Sequence, residues 1–165
     1  MKTLCRFLLL LAVALFTALP AGANVPGGGA AGPDVVLHNA SANVMLENGL
    51  LTATIAKASA TITSLKFRGY EMIRDGYYSM DGGKRFRVPA RCVFSIKTQT
   101  PEQADIGLKS FWHNEAEAFD IEIHYVLRRG ATGLYSYAVL SHPANYPATD
   151  VGEWRMVWKL SLIHI

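Results

Sequence analysis

The chain has 165 residues, 18% of them charged and 50% hydrophobic, with a formal net charge of +3. That length suits one domain, and the composition excludes a disordered chain and a disulfide-built miniprotein. No run beyond the N-terminal segment approaches the roughly 18 apolar residues of a membrane-spanning helix, which excludes a multi-span membrane protein.

Residues 1–23 read as a secretory signal peptide. Lys2 and Arg6 form a positive start, Phe7 to Leu19 is an apolar stretch broken by Pro20, and Ala21-Gly22-Ala23 is a small-x-small cleavage site. The expected product is secreted and begins at Asn24. Lys2 and Arg6 leave with the leader, so the net charge falls from +3 to +1. No basic tract remains that would suit nucleic acid, and no membrane attachment is expected after cleavage. Cys5 is also removed, which leaves Cys92 without an internal disulfide partner. Its setting in Cys92-Val93-Phe94-Ser95-Ile96 reads as a buried strand position.

Residues 24–33 are rich in Gly, Ala and Pro and read as a flexible lead-in. Val44 to Glu47, Asn48-Gly49 and Leu50 to Ile55 form a hairpin signature with an expected type I′ turn. Thr61 to Phe67 is β-branched and apolar, and Arg68-Gly69-Tyr70 turns it. Residues 74–90 hold Gly, Asp, Pro and basic residues and read as a long loop. From Phe119 to Arg128 apolar and polar residues alternate with a period of two, which predicts a half-buried strand. Leu134 to Leu140 follows as a second strand with Tyr135, Tyr137 and Val139 on one face. Residues 143–150 read as a loop. In the last strand Trp154, Met156, Trp158 and Leu160 alternate with Arg155, Val157, Lys159 and Ser161, and the tryptophans and Met156 are expected to be buried. No helical period stands out, so the reading is an all-β antiparallel arrangement. Residues 161–165 read as a non-native tail, because an apolar run without a cap leaves an open sheet edge.

Local signals for chemistry are sparse. His38, His113, His124, His142 and His164 show no HxH, HxxxH or HExxH spacing, so no metal site is expected. His124, on the polar face of its strand beside Glu122, reads as a solvated residue. Asp120 with Glu122 and Glu115 with Glu117 have the i, i+2 spacing of strand neighbours on one side, and read as a solvated face rather than an acid/base pair. Asn39-Ala40-Ser41 is a glycosylation sequon. The better signal is Tyr135 and Tyr137 together with Arg155 and Lys159. Rings that stack on sugars and a guanidinium that grips a carboxylate suit an acidic polysaccharide, although ordinary surface cations would look the same.

The run from Tyr125 to Ala138, with Arg128-Arg129-Gly130 and Gly133-Leu134-Tyr135-Ser136-Tyr137, resembles a hairpin of the family 4 polysaccharide lyases, the rhamnogalacturonan lyases. His142-Pro143, Tyr146-Pro147-Ala148 and Gly152 to Leu160 continue the resemblance, and so does Asn48-Gly49-Leu50 near the start. The resemblance implies a β-sandwich of the galactose-mutarotase (supersandwich) type, with residues 34–160 as the N-terminal part of the catalytic domain. It implies β-elimination on the rhamnose–galacturonate backbone of pectin, with rhamnogalacturonan I as the polysaccharide partner. Arg155 matches an arginine that contacts substrate, and Lys159 matches a further basic position on the same face. The family's catalytic lysine and histidine lie downstream, so no catalytic residue is expected within this chain, which alone is expected to be inactive. The resemblance leaves the cofactor open, none and calcium being the options, and the chain is expected to be monomeric. The alternatives are a secreted carbohydrate-binding module without chemistry, or a structural β-domain.

Overall fold

In the computed structural model, residues 32–81 and 86–161 are described. Residues 1–31, with the expected leader and most of the expected lead-in, residues 82–85, and residues 162–165 of the expected tail, with His164, lie outside them. The described residues form twelve strands and no helix. They are β1 (Val36–Asn39), β2 (Asn43–Glu47), β3 (Leu51–Ala56), β4 (Thr61–Phe67), β5 (Tyr70–Glu71), β6 (Ile73–Asp81), β7 (Phe86–Arg87), β8 (Val93–Gln99), β9 (Gln103–Ser110), β10 (Asp120–Arg128), β11 (Tyr135–Ser141) and β12 (Glu153–Leu160). The larger sheet has the order β1-β2-β3-β4-β6-β12, with β5 on β4 and β7 on β6; the smaller has the order β11-β10-β9-β8. Every pairing is antiparallel. The two sheets make an unclosed sandwich: the alternating pattern predicts the antiparallel all-β arrangement, and the resemblance implies the sandwich.

The period of two builds the core. Val44, Leu46, Ala53, Ile55, Ile62 and Met80 from the larger sheet are fully buried with Ile106, Leu108, Ile121, Ile123, Tyr125 and Leu127 from the smaller one. Hydrophobic burial of this kind is worth roughly 1.5–3 kcal/mol per large side chain. Polar atoms that enter the core find partners across it. The Tyr125 hydroxyl donates to the Ala60 carbonyl at 2.6 Å, and the Tyr78 hydroxyl meets Ser136 Oγ at 2.7 Å. Trp154 stacks on Tyr78 with ring centroids 5.2 Å apart.

Four expectations change. The first is the β2–β3 turn. Gly49 has φ +80°, while Asn48 is not among the positive-φ residues. The Asn48 backbone N–H donates to the Leu51 carbonyl at 3.2 Å, so the central residues are Gly49 and Leu50, and positive φ at the first of these alone is the type II′ pattern, not I′. Asn48 instead spends its side chain on hydrogen bonds and is fully buried.

The second change is within residues 74–90, where the long loop gives way to β6, which lies between β4 and β12. Its inward positions Gly76, Tyr78 and Met80 alternate with Asp75, Tyr77, Ser79 and Asp81. Gly and Asp have low strand propensity, but that scale reflects packing and cross-strand partners. Here Asp75 and Asp81 meet Lys159 and Arg155 of β12.

The third concerns β12 itself. Trp154 and Met156 pack against the core, but Trp158 is 42% and Leu160 64% exposed. Among the described residues β12 is the last strand of the larger sheet, so alternation puts these side chains on the inward face without covering them. Trp158 lies over Gly76, where a Cβ would come within 2.8 Å of its ring. Such a glycine marks a close approach that any side chain blocks. Gly76→Val is expected to expel the Trp158 ring and cost about 1–3 kcal/mol of stability. A red shift in tryptophan emission with a lowered denaturation midpoint would show it; unchanged values for both would contradict the packing.

The fourth change is β10, whose polar face is not solvated. Asp120 and His124 are only 6% and 7% exposed. Glu115 and Glu117 lie in the β9–β10 connection rather than on a strand, so their spacing carries no strand geometry.

Candidate functional site

The candidate site residues Arg155 and Lys159 share the outer face of the larger sheet. β12 pairs with β6 in the register Glu153↔Asp81, Arg155↔Ser79, Val157↔Tyr77 and Lys159↔Asp75. Four residues of strand separate the two cations by about 13–14 Å. Glu153 and Asp81 stand directly opposite one another, a repulsive arrangement for like charges. Arg155 Nη2 lies 3.5 Å from Asp81 Oδ2 and 3.5 Å from Glu153 Oε2, and so offsets both. Lys159 Nζ is 3.1 Å from Asp75 Oδ1 and sits over the Tyr77 ring at 4.9 Å. Both cationic side chains keep substantial exposure, 37% and 44%. Such half-exposed pairs are worth little, ~0–1 kcal/mol. An incoming carboxylate can therefore exchange with Asp81 or Asp75 at small cost. Ser79, opposite Arg155, is fully buried, and its Oγ has no hydrogen-bond partner among the described residues.

Nothing local in the sequence marks Asp75, Tyr77, Ser79 and Asp81 as neighbours of these cations, because the segment that carries them reads as a loop. The sequence also groups Tyr135 and Tyr137 with Arg155 and Lys159, and the fold separates them. β11 belongs to the smaller sheet and β12 to the larger. Ser136 faces the core, where it meets Tyr78, so Tyr135 and Tyr137 point out of the smaller sheet. The two pairs occupy opposite outer faces of the sandwich.

The remaining titratable groups form structural networks. His124 Nδ1 lies 3.1 Å from Asp105 Oδ1, and the imidazole stacks on Tyr137 at 4.4 Å. Asp120 accepts from the Trp112 backbone N–H at 3.0 Å and from the Tyr146 hydroxyl at 2.9 Å, with Lys109 3.7 Å away. These partners, rather than water, surround the carboxylate that the sequence places on a solvated face. Glu117 is buried and Arg87 Nη1 donates to its carbonyl oxygen at 2.8 Å. Burial pushes the Cys92 thiol up to about 11, against the opposing pull of Arg87. That makes it a poor nucleophile at neutral pH. Among the described residues no group of three or more His, Cys, Asp or Glu side chains is placed to hold a metal ion.

The Glu122 carboxyl is held below its usual range, first by the hydrogen bond from Lys97 and further by the Lys97 and His124 charges, against the opposing effect of burial. The folded value is thus lower than the unfolded one of about 4.3. The pair contributes stability above the unfolded value, and loses it as pH falls through the folded one. Lys97→Met is expected to flatten the loss of stability as pH falls below the unfolded value of about 4.3, as read from denaturation midpoints. An acid limb as steep as that of the parent would remove this role from Lys97.

No curated protein sequence matches the chain. The profile of the rhamnogalacturonate lyase family matches residues 21–164, which include the whole sandwich and both outer faces. A match over nearly the full length agrees with the all-β fold and with the ordered resemblance from Tyr125 to Leu160: the chain belongs to the rhamnogalacturonate lyase family.

Proposed function

We propose that this chain is the N-terminal part of the catalytic β-sandwich of a secreted rhamnogalacturonan lyase, exported by residues 1–23 and mature from Asn24. The family match over residues 21–164 carries the reading. The substrate is the alternating rhamnose–galacturonate backbone. A base takes the proton from carbon five of galacturonate, that electron pair forms a double bond between carbons four and five, and the bond from carbon four to its oxygen breaks, the oxygen leaving with the rhamnose and taking up a proton. The proton is weakly acidic because it lies next to a carboxylate, so that negative charge must be offset. Arg155 serves this role by exchanging Asp81 and Glu153 for the galacturonate carboxylate, and Lys159 holds a neighbouring sugar along the same face. The base and its partner are a lysine and a histidine of a longer chain.

The test is elimination itself. Incubated with rhamnogalacturonan, the 165-residue chain is expected to give no rise in the ultraviolet absorbance of unsaturated uronate. A protein in which the same chain continues into the downstream lysine and histidine is expected to give one. Product from the chain alone would place the base inside it and overturn this division of roles.

A further inference from the structure

The outer face of the smaller sheet carries a second arrangement, which the lyase chemistry leaves unused. The registers Val126↔Tyr135, His124↔Tyr137 and Glu122↔Val139 put these six residues on one face. Tyr135 is 57% and Tyr137 46% exposed. One side of each ring is already covered: His124 stacks on Tyr137 with the planes 9° apart, and Arg128 lies over Tyr135 at 5.5 Å. The opposite sides are therefore the ones that meet solvent. His124 is itself held by Asp105, so the Tyr137 ring rests on a fixed support.

Beside the rings Arg128 donates from Nε to Gln103 Oε1 at 3.2 Å, and the other charges lie in pairs. Lys97 meets Glu122 at 2.7 Å, Lys109 lies 3.7 Å from Asp120, and His124 lies against Asp105. Gly107 makes room for the first pair, since a Cβ there would meet Lys97 Cε at 2.6 Å and Glu122 Oε1 at 2.9 Å. The pair lies close over the sheet beside the row of rings. A face whose carboxylates each lie against a cation or an imidazole, and which offers two supported aromatic rings, complements an uncharged ligand that has an apolar C–H surface and a hydroxylated rim.

We propose that Tyr135 and Tyr137 form a stacking platform for neutral pyranose units, distinct from the carboxylate-binding face at Arg155. The choice of a sugar as ligand rests on the polysaccharide reading above. β11 is an outer strand of its sheet among the described residues, so a second copy pairing along it is the competing occupant.

The experiment titrates the 165-residue chain with galactotetraose, as the neutral probe, and with tetragalacturonate, following tyrosine ring signals by NMR. Galactotetraose is expected to shift the Tyr137 ring and to bind about tenfold more weakly to Tyr137→Ala, the scale of one lost ring contact. Tyr137→Phe, which keeps the ring, should bind as the parent does, and so should Arg155→Ala. Tyr135→Ala, at the more exposed position, should also weaken binding and carries the test should Tyr137→Ala fail to fold. Four results would overturn the platform: no neutral binding, neutral binding unaffected by loss of the rings, neutral binding lost in Arg155→Ala, or a dimer in sedimentation that Tyr135→Ala dissolves. Failure of the lyase reading would appear separately, as turnover of the longer protein that ignores Arg155 while galactotetraose binding persists.

Discussion

Arg155→Ala, made in a protein that continues this chain through the proposed lysine and histidine, is expected to cut turnover of rhamnogalacturonan by about 10²-fold or more. That is the usual scale for removing one electrostatic stabiliser from a developing charge. The fold should tolerate the change. Arg155 is on an outer face, its side chain is 37% exposed, and the ion pairs with Asp81 and Glu153 lie at 3.5 Å. Losing such pairs costs no more than about 1 kcal/mol. The loss of rate should therefore appear without a matching loss of denaturation midpoint. Arg155→Lys should recover only part of the rate, because an ammonium lacks the planar fork that grips a carboxylate at two points. Lys159→Ala should have the smaller effect, since Lys159 stands four residues along the strand, paired with Asp75 and packed over Tyr77. Near-normal turnover in Arg155→Ala would reduce Arg155 to a surface cation whose business is to separate Asp81 from Glu153.

Asn48→Ala is expected to be the most destabilising single change to a polar residue, at about 3–4 kcal/mol. Asn48 Nδ2 donates to the carbonyls of Arg128 and Ala131, both at 2.8 Å. Its Oδ1 accepts from the backbone N–H of Leu50 at 3.1 Å and of Leu51 at 2.9 Å. One buried side chain thus ties the β2–β3 turn of the larger sheet to the end of β10 in the smaller one. Alanine removes four hydrogen bonds and leaves partners unsatisfied, which costs more than the bonds are worth when intact. Asn48→Asp separates the two halves of this role. A carboxylate still accepts from Leu50 and Leu51, but it cannot donate and it faces two carbonyl oxygens. Its folded pKa should be raised above the unfolded value, so the variant should regain stability as pH falls below neutral. Chemical denaturation across pH would check this. A loss below about 1 kcal/mol for Asn48→Ala would mean that the two sheets are not joined through this side chain.

The two predictions differ in how legible their residues are. Arg155 is picked out with Lys159 by its charge on an alternating strand, but only the resemblance gives it a role, since ordinary surface cations look the same. Asn48-Gly49 is legible as a turn, and Gly49 does take the positive φ. What Asn48 does there is not legible, because two of its partners, Arg128 and Ala131, lie 80 and 83 residues away. The same limit explains His124. Its alternation with Ile123 and Tyr125 shows which side of β10 it occupies, but its burial comes from Asp105 on β9 and Tyr137 on β11. β6 is hard to read for a related reason: Asp75, Gly76, Ser79 and Asp81 look like loop residues, and their partners come from β12 late in the chain.

By itself, the sequence determines the class of fold and the membership of the family. Period-two alternation forces apolar side chains to one side of β3, β10 and β12, and two sheets must then bury those sides against each other. Tertiary structure decides which sheet each strand joins. Residues 142–152 carry the chain from β11 in the smaller sheet to β12 in the larger, so Tyr137 and Arg155, close in sequence, end on opposite outer faces. It also decides which inward side chains find cover, as Trp154 does and Trp158 does not. A strand's own residues fix which side chains share a face. Whether that face meets another sheet, a neighbouring charge or water depends on strands far away in the chain.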